Sequence, residues 1–183
     1  FGINQNFTHI EKNPRKLIFI IGTSWVTKLW AADEWKALTQ IALTANFEVE
    51  IIWGSPEEQA IADGIIASCP GATRPERRLS ITTIAEKLVE AAGVIGLDTG
   101  FSHLAGALET PTIALYGATS PTNVGLIGEP THNLQMDTPL DCMPCHKRHC
   151  KWLPEHSIDT PQCMTSIKAA QVWTELQKKI SLR

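Results

Sequence analysis

Four short, predominantly apolar runs decide the fold class of this chain. They are Leu17–Ile21, Val49–Trp53, Val94–Leu97 and Thr112–Tyr116. Runs of this length and character are the pattern of strands covered on both faces, which requires a parallel sheet flanked by helices. The segments between them carry helical spacing instead. Trp35, Leu38, Ile41 and Ala42 recur within 32–44. Ile61, Ala62, Ile65 and Ile66 follow Ser55-Pro56, and Ile81, Ile84, Ala85 and Leu88 follow Ser80. A short helix is expected over His103–Leu108. A last helix is expected over 166–180, apolar at Ile167, Ala170, Trp173, Leu176 and Ile180. Strand and helix thus alternate across short connections, and right-handed crossovers place the helices on both faces. The expected class is α/β: a Rossmann-like open parallel sheet with helices on both faces.

Size and charge narrow the function. A chain of 183 residues holds one well-buried domain and is short for two. Its net charge of -3 gives no electrostatic reason to expect nucleic acid. No apolar run approaches the length that spans a membrane, and Phe1-Gly2-Ile3-Asn4-Gln5 has no signal-peptide character. Residues 1–16 are polar and read as a linker or the tail of a preceding domain, leaving 17–183 as the folded unit. The missing initiator Met suggests a fragment, and removal of a tag would look the same. Of five cysteines, four lie in the C-terminal third. That density is not that of a secreted disulfide scaffold, so the expected compartment is cytoplasmic.

The polar residues that follow the strands are the candidate ligand groups. Val94–Leu97 ends on Asp98-Thr99-Gly100, with Phe101-Ser102-His103 opening a helix. An acid straight after a buried strand and before a glycine serves a ligand more often than a turn. The helix start behind it favours an anion such as a phosphate. The bland alternative makes Asp98 a turn former and His103 a surface residue. Gly22-Thr23-Ser24 follows the first strand, and its hydroxyls together with the Lys28 ammonium suit phosphate oxygens. On spacing alone it reads rather as a polar loop with a solvated lysine. Neither a P-loop nor a dinucleotide fingerprint is present. Ser55-Pro56-Glu57-Glu58 reads as a capping box, or as a carboxylate at a strand's end accepting two ribose hydroxyls.

Cys142-Met143-Pro144-Cys145 and Cys150, with Cys163 further on, have thiolate spacing suited to structural zinc, and His146 and His149 are possible substitutes. Disulfides or free thiols fit as well. In each case the cluster staples the long loop 138–164 and takes no part in catalysis. Cys69 stands apart from it.

Taken in order, these motifs resemble the lipopolysaccharide heptosyltransferases, the ADP-heptose glycosyltransferase family 9 with GT-B architecture. The matches are Gly22-Thr23-Ser24 with Lys28-Leu29-Trp30 and Trp35, Trp53-Gly54-Ser55-Pro56-Glu57-Glu58, Asp98-Thr99-Gly100-Phe101-Ser102-His103-Leu104, and Tyr116-Gly117-Ala118-Thr119-Ser120-Pro121. The cysteine loop is also similar to members of this family. The resemblance implies the C-terminal, donor-binding half of such an enzyme. Thr23, Ser24 and Lys28 would then contact the diphosphate and adjoining sugar, and Glu58 the ribose. The backbone at Leu79 would line the adenine site. Asp98 would face the donor sugar, with Thr99, Gly100 and His103 around the phosphates. Lys28 and Asp98 become the candidate catalytic residues. Departures exist: Ser24 stands where Thr is common, Leu79 where Met is, and Ala118 and Ser120 where Pro and Asp are.

The implied substrate is ADP-heptose, transferred with inversion to a lipid A–Kdo or heptosyl acceptor, with no further cofactor. No acid cluster is evident for magnesium, so stabilisation of the departing ADP is expected to be metal-independent. The general base and the acceptor site would belong to the family's N-terminal domain, absent from this sequence. This half alone would be inactive, and membrane contact would be peripheral at most, at the inner face of the inner membrane. The C-terminal helix would reach back toward the other domain, with Trp173 exposed. Two rival readings are a non-catalytic nucleotide-binding or interaction module with a zinc-stapled loop, and another GT-B enzyme that uses a UDP-sugar.

Overall fold

A computed structural model describes residues 2–154 and 159–181. Its centre is a six-stranded sheet: β1 (Asn13–Ile20), β2 (Glu48–Ile52), β3 (Ala72–Thr73), β4 (Ala91–Leu97), β5 (Thr112–Leu115) and β6 (Thr131–Leu134). The spatial order is β3-β2-β1-β4-β5-β6, and neighbouring strands pair in parallel throughout. The helices are α1 (Ala32–Thr44), α2 (Pro56–Ser68), α3 (Ile81–Glu90), α4 (Gly100–Ala107), α5 (Pro121–Val124), α6 (Gln162–Thr165) and α7 (Ala169–Ser181).

Successive side chains of a strand point to opposite faces, so each apolar run feeds two cores. Leu17 and Phe19 of β1 join Trp35, Leu38, Ile65 and Leu176 in a core under α1, α2 and α7. Ile18 and Ile20 point the other way, to Ile84, Leu88 and Ala105 beneath α3 and α4. Helices cover both faces, as the continuous runs require.

Several expectations shift. β1 begins at Asn13, four positions before Leu17; Pro14 is accommodated because the register with β4 slips between Asn13 and Leu17. The loop-rich stretch after Gly117 contains β6, whose alternation is too short and too polar to read alone. β3 has only two residues. α4 opens at Gly100 instead of His103, and α7 at Ala169, because 162–165 form the separate turn α6. Of the cysteine loop 138–164, residues 155–158 lie outside the described residues. Trp173 is not exposed: it is 9% accessible and meets Phe47 edge to face at 5.6 Å. Phe47 sits in the α1–β2 connection, and α1 and α7 pack directly on each other. The helix therefore spends its apolar face on this domain's own core.

The strand order reverses direction between β1 and β4. Chains leaving their carboxyl ends diverge to opposite faces there, opening a crevice where ligands of such sheets bind.

Candidate functional site

A cleft of about 620 Å³ occupies that crevice. The segments at the ends of β1, β2 and β4 build it: Gly22, Thr23 and Ser24, then Ser55 and Glu58, then Asp98, Thr99 and Gly100. Six positions expected to bind one ligand (Thr23, Ser24, Glu58, Asp98, Thr99 and Gly100) thus line one cavity. Lys28 and His103 join it through Asp98.

Asp98 is the electrostatic centre. It is 7% accessible. Lys28 Nζ donates to its Oδ2 at 2.6 Å, and Thr119 Oγ1 donates to the same oxygen at 2.6 Å. His103 Nε2 stands 3.5 Å from Oδ1. A buried carboxylate is tolerable only when it is compensated in this way. Lys28 also lies 4.6 Å from the centre of the Trp25 ring. Buried Tyr116 lies close enough to Asp98 to feel its charge; burial, and then that charge, push its phenol well above the ordinary value. It stays protonated and donates to the Val124 carbonyl at 3.2 Å.

Glu58 belongs to the α2 cap and also lines the cleft. Ser55 is the N-cap of α2, and its Oγ accepts from Glu58 N at 3.3 Å. The Glu58 carboxylate does not return to Ser55. Its Oε2 accepts from Gly54 N at 2.6 Å, and the group lies across the face of Gly22. A carboxylate has further lone pairs to offer a ligand.

Thr99 is the N-cap of α4 but makes no side-chain capping bond. Among the described residues, its Oγ1 is buried with no hydrogen-bond partner. An unsatisfied buried hydroxyl is costly, and this one belongs to a residue that lines the cleft where α4 begins and where the first helix N–H groups have no intrahelical partners.

Part of the cleft lining is apolar. Ile81 was expected on the buried side of α3; instead it is 70% accessible and lines the cleft with Ile52, Trp53 and Phe101. It is the first residue of α3, one turn ahead of the buried Ile84, Ala85 and Leu88. Leu79 packs against the core under α3, while its neighbours Arg78 and Ile81 line the cleft. Arg78, Ile81 and Thr119 are the site residues that sequence reasoning passed over. The basic pair Arg77-Arg78 ahead of the Ser80 cap was the available signal for the first.

The cysteine cluster lies behind the Lys28 turn. All five cysteines are free thiols. Cys142, Cys145, Cys150 and Cys163 line one cavity of about 180 Å³ with Thr27 and Ala118. Burial, and then the neighbouring thiols, push Cys163 up to about 11. Among the described residues, no three ligand-type side chains are grouped so as to hold a metal ion. The loop is stapled by backbone contacts: Thr27 Oγ1 donates to the Lys147 carbonyl at 2.6 Å, and His146 N to the Ala118 carbonyl at 2.8 Å.

A family model described as glycosyltransferase family 9 (heptosyltransferase) matches residues 2–156. The chain belongs to glycosyltransferase family 9. Lipopolysaccharide heptosyltransferase 1 of Pseudomonas aeruginosa is 33% identical over 169 residues, covering 88% of this chain and 47% of that protein. The Escherichia coli K12 protein of the same name is 32% identical over 130 residues, covering 70% of this chain and 40% of its own length. The chain thus spans about half the length of the curated relatives it matches. Among solved structures, E. coli heptosyltransferase WaaC with ADP superposes with a TM-score of 0.76 at 22% identity, over 97% of this chain and 49% of that one. E. coli ADP-heptose lps heptosyltransferase II gives 0.76 at 16% identity, over 98% of this chain and 50% of that one. This is the open parallel sheet that the apolar runs predict.

Proposed function

We propose that the cleft binds ADP-heptose, and that the chain is the donor-binding half of a heptosyltransferase acting in lipopolysaccharide core synthesis. The observation that carries this reading is the one cleft shared by Thr23, Ser24, Glu58, Asp98, Thr99 and Gly100 at the strand ends, with Ile81 in its lining and the buried, unpartnered Thr99 Oγ1 at the start of α4. A nucleoside diphosphate sugar matches that layout. Ile81 and Trp53 supply an apolar platform for adenine, beside the Leu79 backbone. Glu58 accepts from the ribose hydroxyls. Thr23, Ser24, Thr99 and the α4 N–H groups meet the diphosphate, and Asp98 faces the sugar. The heptosyltransferase 1 relatives support the choice of donor family.

Inverting transfer needs a base for the acceptor hydroxyl and a stabilised leaving group. This chain supplies the second. Lys28, the α4 N-terminus and His103 offset the charge that develops as ADP departs. Glu58 and Asp98 are already engaged by Gly54 N and by Lys28 and Thr119, so neither is assigned as base. On this reading the base and the acceptor site, for a lipid A–Kdo or heptosyl glycolipid, belong to the family's N-terminal domain, and this half is inactive alone. Among the described residues no helix is long and apolar enough to cross a membrane. On the same reading, contact with the glycolipid's membrane is peripheral.

The test is calorimetric competition between nucleotides. ADP is expected to bind this chain and UDP to fail to displace it. Equal binding of both would move the site to a UDP-sugar enzyme, and no binding of either would remove the donor-site reading.

A further inference from the structure

We infer that Thr119 is a positioning residue for the donor sugar, acting through Asp98. The inference rests on the donor-site reading above and goes beyond it. Thr119 is 6% accessible and lies on the connection between β5 and α5. It reaches Asp98 because β4 and β5 are neighbours in the sheet.

The two oxygens of Asp98 are used unequally. Oδ2 takes both short bonds, from Lys28 Nζ and Thr119 Oγ1 at 2.6 Å each. Two donors fill the lone pairs of one carboxylate oxygen. Oδ1 has the 3.5 Å approach of His103 Nε2, beyond the usual hydrogen-bond range. Asp98 lines the cleft, and Oδ1 is the oxygen left to accept from a ligand hydroxyl.

Lys28 cannot hold that orientation throughout a binding cycle. Its ammonium is a point charge on a flexible stem, and a diphosphate beside it competes with Asp98 for the same three protons. Once Lys28 turns toward phosphate, Oδ2 keeps one fixed donor, Thr119. The hydroxyl is held in turn by its backbone, since the Ala118 carbonyl accepts from His146 N at 2.8 Å. Thr119 thereby frees Lys28 to follow the phosphate without releasing the carboxylate that reads the sugar.

The test compares the affinities of ADP and ADP-heptose for this chain and its Thr119→Val and Thr119→Ser variants. The readout is the ratio of the two affinities, which general damage to the fold leaves unchanged. In Thr119→Val, ADP affinity is expected within about twofold of the parent, while ADP-heptose loses about tenfold, as for a charge-assisted hydrogen bond that fixes a ligand-reading group. Thr119→Ser keeps the hydroxyl and is expected to keep the parental ratio. An unchanged ratio in Thr119→Val, or equal loss of both ligands, overturns the inference and makes the hydroxyl a structural contact. If Thr119→Val does not fold, loss of the ratio in folded Thr119→Ser overturns it and retention supports it. Failure of the parent chain to bind ADP contradicts the donor-site reading itself, and this inference with it.

Discussion

The Glu58 carboxylate occupies the space that a side chain at Gly22 would need. A Cβ built on Gly22 falls directly on the carboxylate, which holds Gly54 N at 2.6 Å. The first strand's turn and the second helix's cap are therefore shaped to each other. Gly22→Ala is expected to expel Glu58 from the cleft while leaving the helix content intact. Hydrogen bonds to a charged group contribute about 1.5–3 kcal/mol, so ADP affinity should fall roughly ten- to a hundredfold by calorimetry. Unchanged affinity in a folded variant removes Glu58 from the ligand.

Lys28 and Asp98 form an ion pair with side chains 13% and 6% accessible. Removing one partner of such a pair strands the other charge, at a cost of about 3–5 kcal/mol. Lys28→Ala should lower thermal stability and weaken ADP more than adenosine. The double variant Lys28→Met with Asp98→Asn removes both charges and should recover much of the stability without recovering ADP binding. Equal loss of ADP and adenosine on Lys28→Ala would refute the phosphate role.

Ile81 offers an exposed apolar side chain to the cleft. Being 70% accessible, it contributes little to folding, and on the donor-site reading its partner is the adenine. Ile81→Ser should leave the melting temperature within about a degree, because the site is outside the core. It should weaken adenosine and ADP alike, by roughly tenfold, for about 1–2 kcal/mol of lost apolar burial. A melting temperature lowered as for a core residue contradicts this assignment.

The Cys163 thiol, pushed up to about 11 by burial and by its thiol neighbours, is protonated at pH 8. The thiolate is the nucleophile, so Cys163 should resist iodoacetamide in the folded chain at pH 8. Its labelling rate should climb roughly tenfold per pH unit toward that value, as the thiolate fraction does. Peptide mass mapping reads each cysteine separately. Prompt labelling of Cys163 at pH 8 contradicts the buried placement.

What was legible in the sequence follows from how local each signal is. Asp98-Thr99-Gly100 could be read directly, because strand, acid, glycine and helix start are consecutive. Leu17–Ile21 and Val94–Leu97 announced the parallel sheet because covering both faces demands unbroken apolar residues. Thr119 was not legible as a partner of Asp98: the two are 21 positions apart and meet only once β4 and β5 lie side by side. Ile81 shares the spacing of Ile84 and Leu88, and periodicity cannot tell that the first residue of α3 is left exposed. For Trp173 the pattern marked the apolar face of α7 but not its cover, which Phe47 supplies from an unpatterned connection. Thr131-His132-Asn133-Leu134 carries too few apolar positions to be told from a loop.

A crystal structure of this chain soaked with ADP decides whether the cleft is the nucleotide site. Density for the diphosphate is expected beside Thr99 and the start of α4, with the ribose on Glu58 and the adenine over Ile81. ADP bound on another surface, or this cleft empty at saturating ADP, would contradict that placement.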